Sequence, residues 1–195
     1  MVVMRAAFVV FDGLTTLDLV SLYDPITRLR SMGFRPNFVW EFCGLRNAVT
    51  DDRGFVIRAT EVGKSLDGFD ILIVPGGSAT RRLVENSEFM EWLGTADAAL
   101  KVSVCTGSLL LGAAGWLREC AATTHPSAYV ELAQYCQRVK RDRVVDAGAV
   151  ITGRGVTAGI DVGLTVVERL AGADSRGIIA QQIDYPGVRR SPSRR

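Results

Sequence analysis

The sequence predicts an α/β protein: a three-layer α/β/α sandwich on a mainly parallel sheet, flavodoxin-like in plan. Three observations carry that reading. Short continuous apolar runs recur along the chain, as in Ala6–Phe11 and in Ile71-Leu72-Ile73-Val74, and such runs mark strands covered on both faces. Stretches with helical periodicity separate them, so strand and helix alternate from end to end. Turn-forming glycines stand where the runs stop, at Asp12-Gly13 and Pro75-Gly76-Gly77.

Taken in order, Ala6 to Phe11 forms the first strand and Asp12-Gly13 turns it. Thr15 or Thr16 is placed to cap a helix from about Leu17 to Met32, whose apolar face is Leu17, Val20, Leu22, Ile26 and Leu29. Pro25 lacks an N–H and disfavours helical geometry before it, which predicts a short first helix or a kink near Asp24, with a second piece starting at Pro25. Gly33 ends it. Phe34 to Gly44 follows as the second parallel strand, and Val49-Thr50 and Phe55-Val56-Ile57 form a hairpin around the polar turn Asp51–Gly54.

Phe69 to Val74 is a buried strand ending in Pro75-Gly76-Gly77, where glycines let backbone amides approach a ligand. Asn86 to Leu100 is amphipathic and helical, with Phe89, Trp92 and Leu93 facing in. Past Gly115, Ala121 to His125 is short and extended, and Pro126 starts a helix through about Arg138. Two short strands flank Gly148, a glycine loop covers Gly153 to Gly159, and helices run from Ile160 to Leu170 and from Ser175 to Ile183. Residues 1–188 form a single domain and 189–195 a basic disordered tail.

Between these elements lies Val102-Ser103-Val104-Cys105-Thr106-Gly107-Ser108-Leu109-Leu110-Leu111: a strand, a sharp turn at a cysteine, and a buried helix. Such a nucleophile elbow thrusts its side chain from the carboxyl edge of a sheet. The helix N-terminus behind it favours thiolate over thiol. Taken alone, the stretch fits a packed cysteine as well as a nucleophile. In open α/β sheets ligands bind beyond the carboxyl ends of the strands, and Gly76-Gly77, Cys105 and Asp12 to Asp18 converge there.

Composition narrows the chemistry. A net charge of +2 is too small to argue for nucleic acid, and the four cysteines lie far apart with one histidine in the chain, the opposite of the clustering a zinc site wants. No signal peptide and no bilayer-length apolar run is visible, so the reading is a cytoplasmic protein with reduced thiols and no membrane partner.

The turn Val74-Pro75-Gly76-Gly77, the elbow Val104-Cys105-Thr106-Gly107-Ser108, the segment Thr123-Thr124-His125 and Thr157-Ala158-Gly159-Ile160-Asp161 together resemble the ThiJ/PfpI superfamily, with its class I glutamine-amidotransferase-like fold. The likeness extends from about residue 5 to residue 185. Thr106 after the cysteine and Asp18 at the start of the first helix resemble the isonitrile (isocyanide) hydratase branch, which also resembles domains fused to some AraC-type regulators. The chain departs from the branch at Ser21-Leu22-Tyr23-Asp24, where hydratases carry Gly-Pro and then Glu.

The resemblance implies a small-molecule substrate, a homodimer and no cofactor. It implies Cys105 as nucleophile and Asp18 as acid and base, with the Gly77 and Thr106 amides, beside Gly76, stabilising developing charge. The Thr106 hydroxyl orients water or substrate, or serves the turn. His125 is either catalytic or a buried, hydrogen-bonded histidine. Asp161 is a helix cap or lines the pocket. Cys43, Cys120 and Cys136 lack a glycine elbow and read as packing residues. Two other functions stay open: a glyoxalase- or deglycase-like enzyme on reactive carbonyls, and a non-catalytic ligand or redox sensor.

Overall fold

The computed structural model describes residues 3–186, so the basic tail at 189–195 lies outside the described residues. The chain opens with β1 (Met4–Val9), α1 (Thr16–Ser31), β2 (Phe38–Gly44), the hairpin of β3 (Ala48–Thr50) and β4 (Val56–Arg58), and β5 (Glu61–Val62). Next come β6 (Ile71–Val74), α2 (Thr80–Val84), α3 (Ser87–Leu93), β7 (Leu100–Val104), α4 (Gly107–Ala113) and β8 (Ala121–Ala122). A 3-10 turn at Pro126–Ala128 leads into α5 (Tyr129–Leu132), followed by β9 (Arg138–Val139), β10 (Val144–Asp146), β11 (Val150–Gly153) and α6 (Gly159–Gln182).

Seven strands form the central sheet in the order β10-β11-β7-β6-β1-β2-β5, parallel throughout except for the β10–β11 pair. Its middle strands are sealed because their residues are apolar on both faces: Ala6 to Val10 and Leu72 to Val74 are fully buried. Helices cover the sheet in two groups, α1 against α6 and α2, α3 and α5 around α4. This is the mainly parallel α/β sandwich the alternating pattern predicts.

Several elements differ from the sequence expectation, each for a local reason. Pro25 neither breaks nor kinks α1, which runs unbroken from Thr16 to Ser31. Its buried ring fills the seam with α6: a Cβ on Gly163 would sit 2.4 Å from Pro25 Cγ, so packing there outweighs one lost backbone hydrogen bond. Thr15 occupies the N-cap but makes no cap bond; its hydroxyl donates to Asp52 and that of Thr16 to Asp51, tying the start of α1 to the β3–β4 turn.

The helix expected over Asn86–Leu100 stops at Leu93, with Gly94 as C-cap, and Leu100 already belongs to β7. Asn86 caps α3 by accepting the Phe89 N–H at 2.8 Å, and Phe89, Trp92 and Leu93 are buried as expected. The helix expected from Pro126 to Arg138 ends at Leu132, and Arg138 starts β9 instead. The last two helices are joined at Gly172, whose φ of +88° breaks α6 between its halves. The short α2 carries no apolar periodicity long enough to announce it.

Candidate active site

β6 and β7 lie side by side, and the chain leaves both at the same sheet edge. Cys105, the first residue past β7, has φ of +56°, a left-handed conformation that an L residue holds only when its surroundings dictate it. They do so here. Its N–H donates to the Gly153 carbonyl at 3.0 Å, and its carbonyl accepts from the Ser108 hydroxyl at 3.2 Å and the Thr124 hydroxyl at 2.9 Å. Gly107 completes the turn by necessity: a Cβ there would lie 2.3 Å from the Val74 carbonyl oxygen. The elbow read from the sequence is therefore formed.

Asp18 reaches the same spot from the first turn of α1, whose entry is stitched to the glycine turn by the Thr15 N–H donating to the Gly76 carbonyl at 2.9 Å. Gly76 is the point of convergence. Its N–H donates to Asp18 Oδ2 at 3.1 Å, and a Cβ on it would fall 2.7 Å from Asp18 Oδ2, 2.7 Å from Thr106 N and 2.9 Å from Cys105 Cβ. The structure thus brings Cys105, Asp18, Gly76, Gly77 and Thr106 together.

Asp18 is fully buried, and no cation stands beside its carboxylate among the described residues. Burial pushes its carboxyl up to about 7; hydrogen bonds from the Cys105 thiol and Gly76 N–H pull the other way without winning, and Asp52 adds repulsion. Oδ1 is buried with no hydrogen-bond partner among the described residues. A buried acceptor left without a partner marks where a polar atom of a ligand or water docks.

The elbow cysteine differs from expectation. Burial, with the Asp18 charge next, pushes its thiol up to about 12, and the Thr106 N–H aimed at the sulfur only partly offsets this. At rest the group is a thiol handing its proton toward Asp18, not a thiolate at a helix N-terminus. The helix dipole is outweighed by the loss of water and by a carboxylate neighbour.

The Gly77 amide also differs. It donates to the Thr106 hydroxyl at 3.1 Å, and that hydroxyl has the Gly77 carbonyl at 3.2 Å and the Cys105 sulfur in reach of its one proton. Thr106 therefore clamps the glycine turn to the elbow, and its own N–H, not that of Gly77, points at the sulfur.

Neither Asp161 nor His125 is hydrogen-bonded to Cys105 or Asp18 among the described residues. The Asp161 carboxylate receives Arg143 and, at 2.8 Å, the Tyr185 hydroxyl; none of its hydrogen bonds reaches Cys105, Asp18 or Gly76. His125 is half-buried, not buried, and caps the 3-10 turn by accepting the Ser127 N–H on Nδ1 at 3.3 Å. Its neighbour Thr124 makes the contact with the elbow that the Thr-Thr-His segment supplies.

Sequence reasoning missed Asp52, whose charge bears on Asp18, and the ion pair of Arg81 on α2 with Glu131 on α5, whose guanidinium feels the Cys105 charge. Only the hairpin and helix packing place them there. Among the described residues no three His, Cys, Asp or Glu side chains gather as a metal ion would need, and no helix is long and apolar enough to cross a membrane.

Residues 4–169 match the DJ-1/PfpI family over most of the chain. The chain belongs to the DJ-1/PfpI family. The isonitrile hydratase of Pseudomonas putida is 34% identical over 185 residues, covering 93% of this chain and 78% of that protein. A glutathione-independent glyoxalase of Caenorhabditis elegans, DJR-1.2, is 31% identical over 108 residues, covering 54% of this chain and 58% of that protein. Among solved structures, a ThiJ/PfpI family protein from Pseudomonas syringae superposes with a TM-score of 0.85 at 30% identity, covering 95% of this chain and 76% of that one. These relatives are named for two different chemistries, an isonitrile hydratase and a glyoxalase.

Proposed function

We propose that the protein is a cysteine-dependent hydratase that adds water to an isocyanide and releases an N-substituted formamide. The observation that carries this reading is the Cys105–Asp18 pair: a buried thiol facing a carboxyl raised to about 7, with Asp18 Oδ1 open. A carboxyl titrating near neutrality can both accept and return a proton, which is what successive addition steps demand. The similarity to a hydratase along 93% of the chain supports the same chemistry.

The terminal carbon of an isocyanide is both electrophilic and, once attacked, basic. Asp18 takes the thiol proton as the Cys105 sulfur bonds to that carbon, then delivers the proton to the carbon, leaving a thioimidate on Cys105. Water adds its hydroxyl to the thioimidate carbon while Asp18 takes its proton and passes it to the nitrogen. Collapse forms the formyl C=O, breaks the C–S bond and restores the thiol. The Thr106 N–H stabilises charge at the sulfur, and the Thr106–Gly77 clamp keeps the glycine turn clear of the incoming carbon. Every step uses side chains present in the site.

The homodimer implied by the resemblance would find Leu17 and Val20 exposed on α1 beside Asp18. A reactive-carbonyl activity is the second reading, favoured by the similarity to a glyoxalase. Infrared assay of isocyanide loss and formamide formation, run beside a methylglyoxal assay, separates the two. Formamide release by the parent and none by Cys105→Ala is the expected result. Turnover of methylglyoxal with every isocyanide inert would replace the hydratase by the second reading.

A further inference from the structure

Thr15-Thr16-Leu17-Asp18 has the spacing of a capping box, in which the threonine hydroxyl accepts the backbone N–H three residues on and the acid reaches back to the threonine N–H. Neither side-chain bond forms at the start of α1. The Thr15 N–H is taken by the Gly76 carbonyl at 2.9 Å, and the Thr15 hydroxyl donates to Asp52 Oδ2 at 3.0 Å. The Asp52 N–H closes this latch by donating to the Leu14 carbonyl at 3.1 Å, and Leu14 pairs with Gly77 in an isolated antiparallel bridge. Thr16 repeats the arrangement one residue on: its hydroxyl donates to Asp51 Oδ2 at 2.6 Å, and Asp51 Oδ1 accepts the Arg53 and Phe55 N–H groups that shape the hairpin turn. Left without its cap partner, Asp18 turns Oδ2 to the Gly76 N–H at 3.1 Å, on the side of Cys105.

We propose that Asp52 and Thr15 are positioning residues: their hydrogen bond diverts the capping box and holds the Asp18 carboxyl on Gly76 and Cys105. The local box is the competing arrangement, because a threonine and an acid at this spacing bond to their own backbone when nothing else claims them. Releasing Thr15 from Asp52 makes that box available and draws the carboxyl off the thiol. The β3–β4 hairpin is thereby part of the active site, although none of its hydrogen bonds reaches Cys105. Only the kinetic readout below rests on the proposed isocyanide hydration.

Two variants of the full chain cut the latch from opposite sides, so a folding failure in one leaves the other to decide. Thr15→Val removes the hydroxyl and suits the extended backbone at this position, with φ of −94° and ψ of 113°. Asp52→Ala removes the acceptor. Amide hydrogen exchange is read at Gly76, whose N–H holds Asp18, and at Phe8 in β1, which reports the stability of the whole fold. In both variants Gly76 should exchange about tenfold faster relative to Phe8. For isocyanide, kcat should fall by about 10–100-fold with KM within about threefold of the parent. Thr15→Ser and Asp52→Asn keep the donor and the acceptor and should restore both readouts. Gly76 and Phe8 changing by the same factor, or Gly76 exchanging as in the parent, overturns the proposal. A parent that turns over no isocyanide fails the hydration reading alone, and the exchange ratio still decides the latch.

Discussion

Two aspartates, Asp18 and Asp161, begin helices that pack against each other, and local sequence does not tell them apart. Each stands in the first turn of its helix, where an acid complements the helix dipole. Their surroundings separate them. Asp161 keeps partial contact with solvent and is neutralised by Arg143 and hydrogen-bonded by Tyr185, which makes it a tie between α6 and the β10 edge. Asp18 is sealed from water, has a thiol in place of a cation, and leaves one oxygen open. The same side chain is a structural brace where a counter-charge meets it and, in the proposed reaction, a proton carrier where none does.

That contrast is broken or sharpened by substitution. Cys105→Ala should lower kcat/KM for isocyanides by more than about 10⁴-fold, since no covalent intermediate can form; measured formamide production within tenfold of the parent would dissolve the site. Asp18→Asn should cost about 10²–10⁴-fold. In the parent, kcat/KM should climb as pH rises through about 7, when Asp18 becomes able to take the thiol proton, and the Asn variant should lose that step.

Stability offers a separate comparison. Folding raises the Asp18 carboxyl from 3.8 to about 7, so the folded state holds this proton more tightly than the unfolded chain does. The resulting stabilisation is complete below pH about 4 and is lost as pH rises to about 7. Asp18→Asn does not titrate, so it should gain on the parent by up to about 4 kcal/mol across that window in denaturant titrations.

Gly107→Ala comes next, because its Cβ would press on the Val74 and Pro75 carbonyls: about 1–3 kcal/mol of stability lost, with activity falling as the elbow shifts. Asp161→Asn should be smallest, about 1 kcal/mol or less for a partly exposed ion pair, with kcat/KM within a few-fold of the parent. A large activity loss there with stability unchanged would put Asp161 back at the substrate.

The elbow and the Gly76-Gly77 turn are legible in the sequence, because both are written in local backbone needs. Val102–Val104, the Cys105 turn and the Gly107 helix start follow from residues adjacent in sequence. So does the β3–β4 hairpin with its Asp51–Gly54 turn. Where the reading failed, distant partners had decided. Pro25 stays helical because Gly163 in α6 makes room for its ring, and Thr15 and Thr16 serve Asp52 and Asp51 instead of capping. The helices expected past Leu93 and Leu132 stop short because Gly94 caps the first and the chain after Leu132 turns to pair β9 with β8.

At the site, residue identities were readable and proton positions were not. Burial of Cys105, the charge of Asp18 beside it and the capture of the Gly77 amide by Thr106 arise from three segments meeting at one sheet edge. Local sequence at Cys105 shows a helix N-terminus and predicts thiolate; only the fold supplies the carboxylate opposite.

The most direct measurement is the titration of the Asp18 carboxyl itself, by carbon-13 NMR of labelled aspartate, assigned with Asp18→Asn. A midpoint close to 7 is expected, and it should rise further when Cys105 is replaced by Ala, because the thiol hydrogen bond that lowers it is lost. A midpoint below 5, or one indifferent to Cys105, would contradict a buried Cys105–Asp18 pair as the reacting centre.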